Sequence, residues 1–135
     1  MNTKTKKILL NIGLLGSLVF GVLNFFIPFI FNWRTYISDV PPSIFSLIFW
    51  SNFFSALLLT GLSLLILLFQ RKIIEKNIMA IVFYIFLVIV WFAAIIMTIL
   101  LPFNRVYDLA FLIQLLMVLV VFIILLVPMM LILLE

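Results

Sequence analysis

Four long apolar runs separate the polar positions of the chain. They cover residues 8–31, 44–69, 78–101 and 109–134, and each exceeds the roughly 20 residues that an α-helix needs to cross a bilayer. None contains Asp, Glu, Lys or Arg, as expected where a charge at the bilayer centre is costly. The strands of a membrane barrel would be about ten residues long and would alternate polar with apolar positions. The pattern therefore predicts an all-α, integral membrane bundle of four transmembrane helices.

The connections between these runs are short, and two of the three contain proline. Pro41 and Pro42 favour the first turn of the second run, and Pro102 interrupts the chain between the third and fourth runs. The longest connection, residues 32–43, is too short to form a folded module outside the membrane. We therefore expect a single four-helix transmembrane domain over residues 1–135.

The amino-acid composition excludes several classes of protein. Hydrophobic residues make up 69% of the chain and charged residues 9%, against about 45–50% and about 25% in soluble domains. These values exclude a soluble globular protein, a disordered tail and a nucleic-acid-binding module, so we expect no nucleic acid among its partners.

The basic residues are distributed unequally between the two sides of the predicted bundle. Six of the eight lie before the first run or between the second and third: Lys4, Lys6, Lys7, Arg71, Lys72 and Lys76. Each of the other two connections holds a single basic residue, Arg34 in one and Arg105 in the other. The positive-inside rule then predicts a multi-pass protein of the cell membrane with both termini in the cytoplasm. We expect the first run to be an uncleaved span, because it is longer than the apolar core of a signal peptide.

Small and polar residues recur at helical spacing in the first two runs and indicate surfaces where these helices meet. Small residues let helix backbones approach closely in lipid, and polar residues bond across the contact. The predicted helix-packing residues are Gly13, Ser17, Gly21, Asn24, Asn52, Ala56 and Thr60. Asn24 and Asn52 lie at similar depth, so a hydrogen bond between them is geometrically allowed. The alternative is a polar patch that contacts a ligand or a permeating species.

The chain has little equipment for catalysis. It contains no cysteine and no histidine, which removes thiolate metal sites, cysteine nucleophiles and the usual general base. Tyr84 is the only conventionally ionisable side chain in the four runs, and a tyrosine is a poor base at neutral pH. We predict no catalytic residue, no metal site, no cofactor and no enzymatic activity. Coupled transport is also disfavoured, since it normally needs charged groups inside the membrane.

A group of polar and aromatic residues falls in the two connections on the side away from the termini. Its members are Trp33, Arg34, Asp39, Arg105, Tyr107 and Asp108. One interpretation is two ion pairs flanked by the aromatic residues that usually sit at a membrane interface. The other is a shallow site for a lipid headgroup, a quinone ring or a partner segment, with the two arginines as donors.

Three short motifs follow one another within residues 25–68. Phe25-Phe26-Ile27-Pro28 ends the first run, Val40-Pro41-Pro42 precedes the second, and the second contains Thr60-Gly61-Leu62-Ser63-Leu64-Leu65. This stretch resembles DoxX-like proteins, which are small bacterial membrane proteins with four helices. The resemblance implies a four-helix bundle and, for most members, no established activity. Asn52 and Ser55 occupy the region where that family often has an acidic residue, so a redox or quinone-linked role is not carried over.

Two functional classes fit these features. The first is a non-catalytic interaction protein, acting as an accessory or immunity-type subunit through its helices. The second is an oligomeric channel or carrier for a small or lipidic solute. In either class the expected partners are membrane lipid and another membrane protein or a second copy of the chain. We favour the first class, because no residue within the predicted spans requires a transport explanation.

Overall fold

Four long helices and two short ones make up the part of the protein that the structure describes. The computed structural model describes residues 3–100 and 109–134. The helices are α1 (Thr3–Ile30), α2 (Trp33–Tyr36), α3 (Pro42–Leu68), α4 (Gln70–Ile74), α5 (Ile78–Leu100) and α6 (Leu109–Leu133). No strand occurs in the described ranges, and the predicted all-α bundle with four spanning helices is confirmed.

The four long helices have the length and apolar character of membrane spans. Each contains an 18-residue stretch of high mean hydropathy, and only 17–33% of that stretch is buried inside the bundle. Most of the apolar surface therefore faces outward, which is stable in lipid and not in water. The protein is accordingly a multi-pass helical membrane protein.

The helix ends differ from the predicted span ends by a few residues, for local reasons. α1 begins at Thr3 instead of residue 8, because the exposed Lys4 and Lys7 side chains can extend toward water while their backbone stays helical. It ends at Ile30, close to Asn32, whose left-handed backbone (φ 45°) cannot continue a right-handed helix. α3 begins at Pro42, in the first helical turn, where proline is favoured. The predicted break at Pro102 lies outside the described residues.

The long helices pack in a ring. α1 contacts α3 and α6, and α5 also contacts α3 and α6, so that α1 and α5 face each other across the centre. Side chains from all four helices meet in one apolar core. Its most deeply buried members are Leu10, Leu14, Ile66, Tyr84, Leu87, Trp91 and Leu125.

The bundle has two distinct ends, named here after one residue of each. The Lys6 end holds the start of α1, the short α4 and the end of α6. There the buried Lys6 side chain donates from Nζ to the Leu131 carbonyl at 3.4 Å. The Arg34 end holds the end of α1, the short α2 and the start of α3.

Candidate functional site

α1 and α3 approach most closely where Gly21 meets Thr60. A Cβ at Gly21 would lie 2.6 Å from Thr60 Oγ1 and 2.8 Å from the Thr60 main-chain nitrogen. Ala56, one turn earlier on α3, is completely buried. Only a glycine allows the two backbones to be this close.

Gly13 lies against a different helix from Gly21. A Cβ there would be 3.1 Å from the Ile124 carbonyl oxygen and 3.0 Å from Leu125 Cδ2, both on α6. The expectation that the whole small-residue stripe of α1 faces the second span is therefore wrong at Gly13. Residues four apart rotate about 40° around a helix with 3.6 residues per turn. The stripe thus turns by about 80° between residues 13 and 21, from α6 to α3.

Ser17 is the centre of a buried hydrogen-bond chain. Its Oγ accepts a hydrogen bond from Trp91 Nε1 at 2.8 Å and lies 2.7 Å from Ser63 Oγ. All three side chains are buried, so one hydroxyl joins α1, α3 and α5. Sequence reasoning placed Ser17 among the packing residues but missed its partners. The available signal was an indole N–H deep in an apolar span, which needs an acceptor.

Two further bonds link the helices. Tyr84 OH donates to the Leu125 main-chain carbonyl at 2.5 Å, which joins α5 to α6. Asn52 Nδ2 donates to the main-chain carbonyl of Asn24 at 2.9 Å, which joins α3 to α1. The hydrogen bond that the sequence allows between Asn24 and Asn52 therefore occurs, with the backbone of Asn24 as the acceptor. These polar groups hold the bundle together.

A cleft opens between α1 and α3 at the Arg34 end. Its volume is about 430 Å³, and its walls carry six aromatic rings: Phe25, Phe29, Phe45, Phe49, Trp50 and Phe53. Arg34, Ser46 and Asn52 are its polar lining residues. We call it the aromatic cleft. None of its six rings was among the predicted binding residues, because an aromatic residue in an apolar run is indistinguishable by sequence from a lipid-facing one.

Contacts between rings shape the walls of the aromatic cleft. Phe25 of α1 meets Phe53 of α3 edge-on, with centroids 5.5 Å apart. The ring centroids of Phe49 and Phe45 are 4.6 Å apart. Phe49 also meets Trp33 edge-on, with centroids 5.8 Å apart. Edge-to-face pairs at these distances are favourable, so the rings support one another as a continuous apolar wall.

A second, smaller hollow adjoins the aromatic cleft. Its volume is about 290 Å³, and Ser38, Ile37 and Val40 line it on the loop side. Arg34 and Phe45 line both hollows. Arg34 therefore lies at the junction between an apolar cleft among the helices and a loop-lined hollow at the end of the bundle.

The structure places only part of the polar group predicted in the two connections. Arg34 is exposed and lines both hollows, while Trp33 packs on the wall of the aromatic cleft. Asp39 accepts a hydrogen bond from Ser38 Oγ at 3.3 Å. In the part of the chain that the structure describes, no ion pair joins Arg34 to Asp39. The other three members, Arg105, Tyr107 and Asp108, lie outside the described residues.

Comparison with protein-family models, curated proteins and solved structures finds no match to this chain. The geometry of the bundle and its clefts therefore carries the functional inference.

Proposed function

We propose that this chain is a non-catalytic membrane protein that acts as an accessory or immunity-type subunit by binding another membrane component at the aromatic cleft. The observation that carries the proposal is the position of this cleft. It opens on the outer surface of the bundle, between two spanning helices, and ends beside an arginine. Clefts of roughly 300–1,000 Å³ with apolar walls and a few polar groups are typical binding sites.

The polar groups in the interior of the bundle favour a role in helix packing over a path for a solute. Ser17, Ser63 and Trp91 bond to one another, and Tyr84 bonds to the backbone of α6. Hydrogen bonds of this kind hold membrane helices together. Ser17, Ser63, Trp91 and Tyr84 are thus engaged in joining helices, which favours the interaction protein over the channel or carrier.

We also propose that the protein resides in a bacterial cell membrane with its Lys6 end in the cytoplasm. The support is the charge distribution in the sequence, with six basic residues on the side of the termini and two on the other. The aromatic cleft would then open toward the outer leaflet. The DoxX-like resemblance of residues 25–68 stays a prediction.

Blocking the cleft tests the binding role. Ser46 is exposed and lines the aromatic cleft, whereas Ser43 is exposed on the same helix and lines neither hollow. Ser46→Trp places a large ring in the cleft and leaves its six aromatic residues and Arg34 unchanged, and Ser43→Trp is the matched control. The full chain is extracted with its surrounding membrane in polymer-bounded nanodiscs, and its bound components are quantified by mass spectrometry.

The expected result is a component in fixed ratio to the chain that S46W loses and S43W retains. Identical composition for the unsubstituted chain and both variants would contradict the proposed function.

A further inference from the structure

We infer that the aromatic cleft is a phospholipid site, in which the lipid phosphate contacts Arg34 and an acyl chain lies between α1 and α3. The inference rests on the proposed binding role of the same cleft and names its occupant. Two hollows of different character share Arg34, and a phospholipid likewise has an apolar chain and a headgroup joined at a phosphate.

The walls of the aromatic cleft suit an acyl chain. Phe29 is 75% exposed and Trp50 is 59% exposed, so the cleft is open sideways to the surrounding lipid. A lipid chain can therefore enter from within the bilayer without crossing water. The apolar rings offer dispersion contacts along its length.

Arg34 suits a phosphate. A guanidinium has a planar fork of donors that matches two phosphate oxygens, and such charge-assisted bonds are stronger than neutral ones. Within the described residues no carboxylate forms an ion pair with Arg34, and Asp39, five positions later in the chain, accepts a hydrogen bond from Ser38 Oγ. The donors of Arg34 are thus available to a ligand.

The depth of Arg34 agrees with a headgroup position. It belongs to α2, which follows directly after the end of the spanning helix α1. Its neighbour Trp33 packs on Phe49 at the same end, and tryptophan is enriched at the level of lipid headgroups. The loop-side hollow beside Arg34, with Ser38 in its lining, has room for the remainder of a headgroup.

The same walls disfavour a transmembrane helix of another protein as the occupant. Close helix contacts in lipid rely on small residues that let backbones approach, as at Gly21 and Thr60. The aromatic cleft instead presents bulky rings, including the largely exposed Phe29 and Trp50. A flexible chain can follow such a surface, whereas a helix backbone is held away from it.

Binding of defined lipids to the purified, delipidated full chain tests the inference. Phosphatidylglycerol and phosphatidylethanolamine are compared with diacylglycerol of the same acyl chains, which lacks only the phosphate and headgroup. Native mass spectrometry in mild detergent measures the affinity of the first bound copy. Arg34→Gln removes the proposed phosphate donor. Arg71→Gln removes another exposed arginine, at the opposite, Lys6 end.

We expect both phospholipids to bind at least about tenfold more tightly than diacylglycerol. Arg34→Gln should weaken phospholipid binding about tenfold, the effect of losing roughly 1.4 kcal/mol, and Arg71→Gln should leave it unchanged. Ser46→Trp should prevent binding of all three lipids, whereas Ser43→Trp should not. Circular dichroism shows whether each variant keeps its helices.

Two results would overturn the phospholipid assignment. One is equal affinity for diacylglycerol and the phospholipids, and the other is an equal effect of the Arg34 and Arg71 substitutions. If neither phospholipid binds but a co-purified protein is lost in S46W, the lipid inference fails and the proposed function stands. If S46W changes nothing in either experiment, both fail.

Discussion

The indole nitrogen of Trp91 lies 2.8 Å from the hydroxyl oxygen of Ser17, although the two residues are 74 positions apart. The bond crosses the centre of the bundle, from α5 to α1. Ser17 also lies 2.7 Å from Ser63 on α3. One small hydroxyl therefore joins three of the four spanning helices, in an interior where a lost partner leaves a polar group unpaired.

Removing the Ser17 hydroxyl should destabilise the bundle more than removing the Ser63 hydroxyl. Ser17→Ala leaves the buried Trp91 N–H without its acceptor, and an unpaired buried donor costs about 1–3 kcal/mol. Ser63→Ala removes one bond but leaves the Trp91 bond in place, so we expect a loss near the average of about 0.6 kcal/mol for membrane hydrogen bonds. Reversible unfolding in mixed detergent and lipid micelles measures both losses.

Ser55→Ala is the control for these serine substitutions. Ser55 is exposed, and its hydroxyl bonds the Ser51 carbonyl of its own helix at 2.7 Å. Its loss should change the free energy of unfolding by less than about 0.5 kcal/mol. Equal losses for the Ser17 and Ser63 variants would contradict the central role of Ser17.

The glycines should differ in their tolerance of alanine according to what surrounds them. Gly21→Ala would overlap the Thr60 main chain and force α1 from α3, which we expect to cost about 1–3 kcal/mol. Gly13→Ala meets α6 at 3.0–3.1 Å and should cost less. Among the described residues, no atom of a neighbouring helix lies within 4 Å of a Cβ at Gly16 or Gly61, so alanine there should be neutral or slightly stabilising.

Thermal unfolding of the four alanine variants in one detergent checks this order. The same loss at every position would show that helix flexibility, and not the close approach of α1 and α3, governs the effect. A Thr60→Ala change combined with Gly21→Ala should rescue only part of the loss, because the Thr60 main-chain nitrogen stays 2.8 Å from the new Cβ.

Lys6 should contribute to stability in a way that its neighbour Lys7 does not. Lys6 is buried, and its Nζ donates to the Leu131 carbonyl near the end of α6. A cation near a helix C-terminus is typically worth about 0.3–1 kcal/mol. Lys6→Gln should therefore lower the free energy of unfolding by about that amount. Lys7 is exposed, so Lys7→Gln removes the same charge without this contact and should have a smaller effect. Equal losses would assign the effect to net charge alone.

The orientation of the bundle can be tested by labelling, because the chain contains no cysteine. Ser38 at the Arg34 end and Glu75 at the Lys6 end are both exposed. If the basic side faces the cytoplasm, Ser38→Cys reacts with a membrane-impermeant maleimide in intact cells. Glu75→Cys then reacts only after the membrane is permeabilised. The opposite pattern would invert the proposed topology.

The spans were predictable because lipid imposes a simple rule on sequence. α5 and α6 begin at residues 78 and 109, as the apolar pattern predicts, and α3 begins two residues early at Pro42. The partners within the bundle were harder to predict. A stripe of small residues marks a helix face, but which helix covers that face depends on how the four long helices are arranged around one another. Gly13 and Gly21 therefore meet different neighbours.

By itself the sequence determined that four charge-free runs occupy the membrane, because the penalty for burying charge in hydrocarbon acts on each residue independently of its neighbours. It also marked Arg34 and Trp33 as residues of one membrane boundary. Only the tertiary structure decided that Ser17 joins three helices and that Arg34 borders a cleft between α1 and α3. Both features depend on the distances between the helices and on the rotation of each helix about its axis. Packing between helices sets these quantities, and the sequence of one apolar run does not specify them.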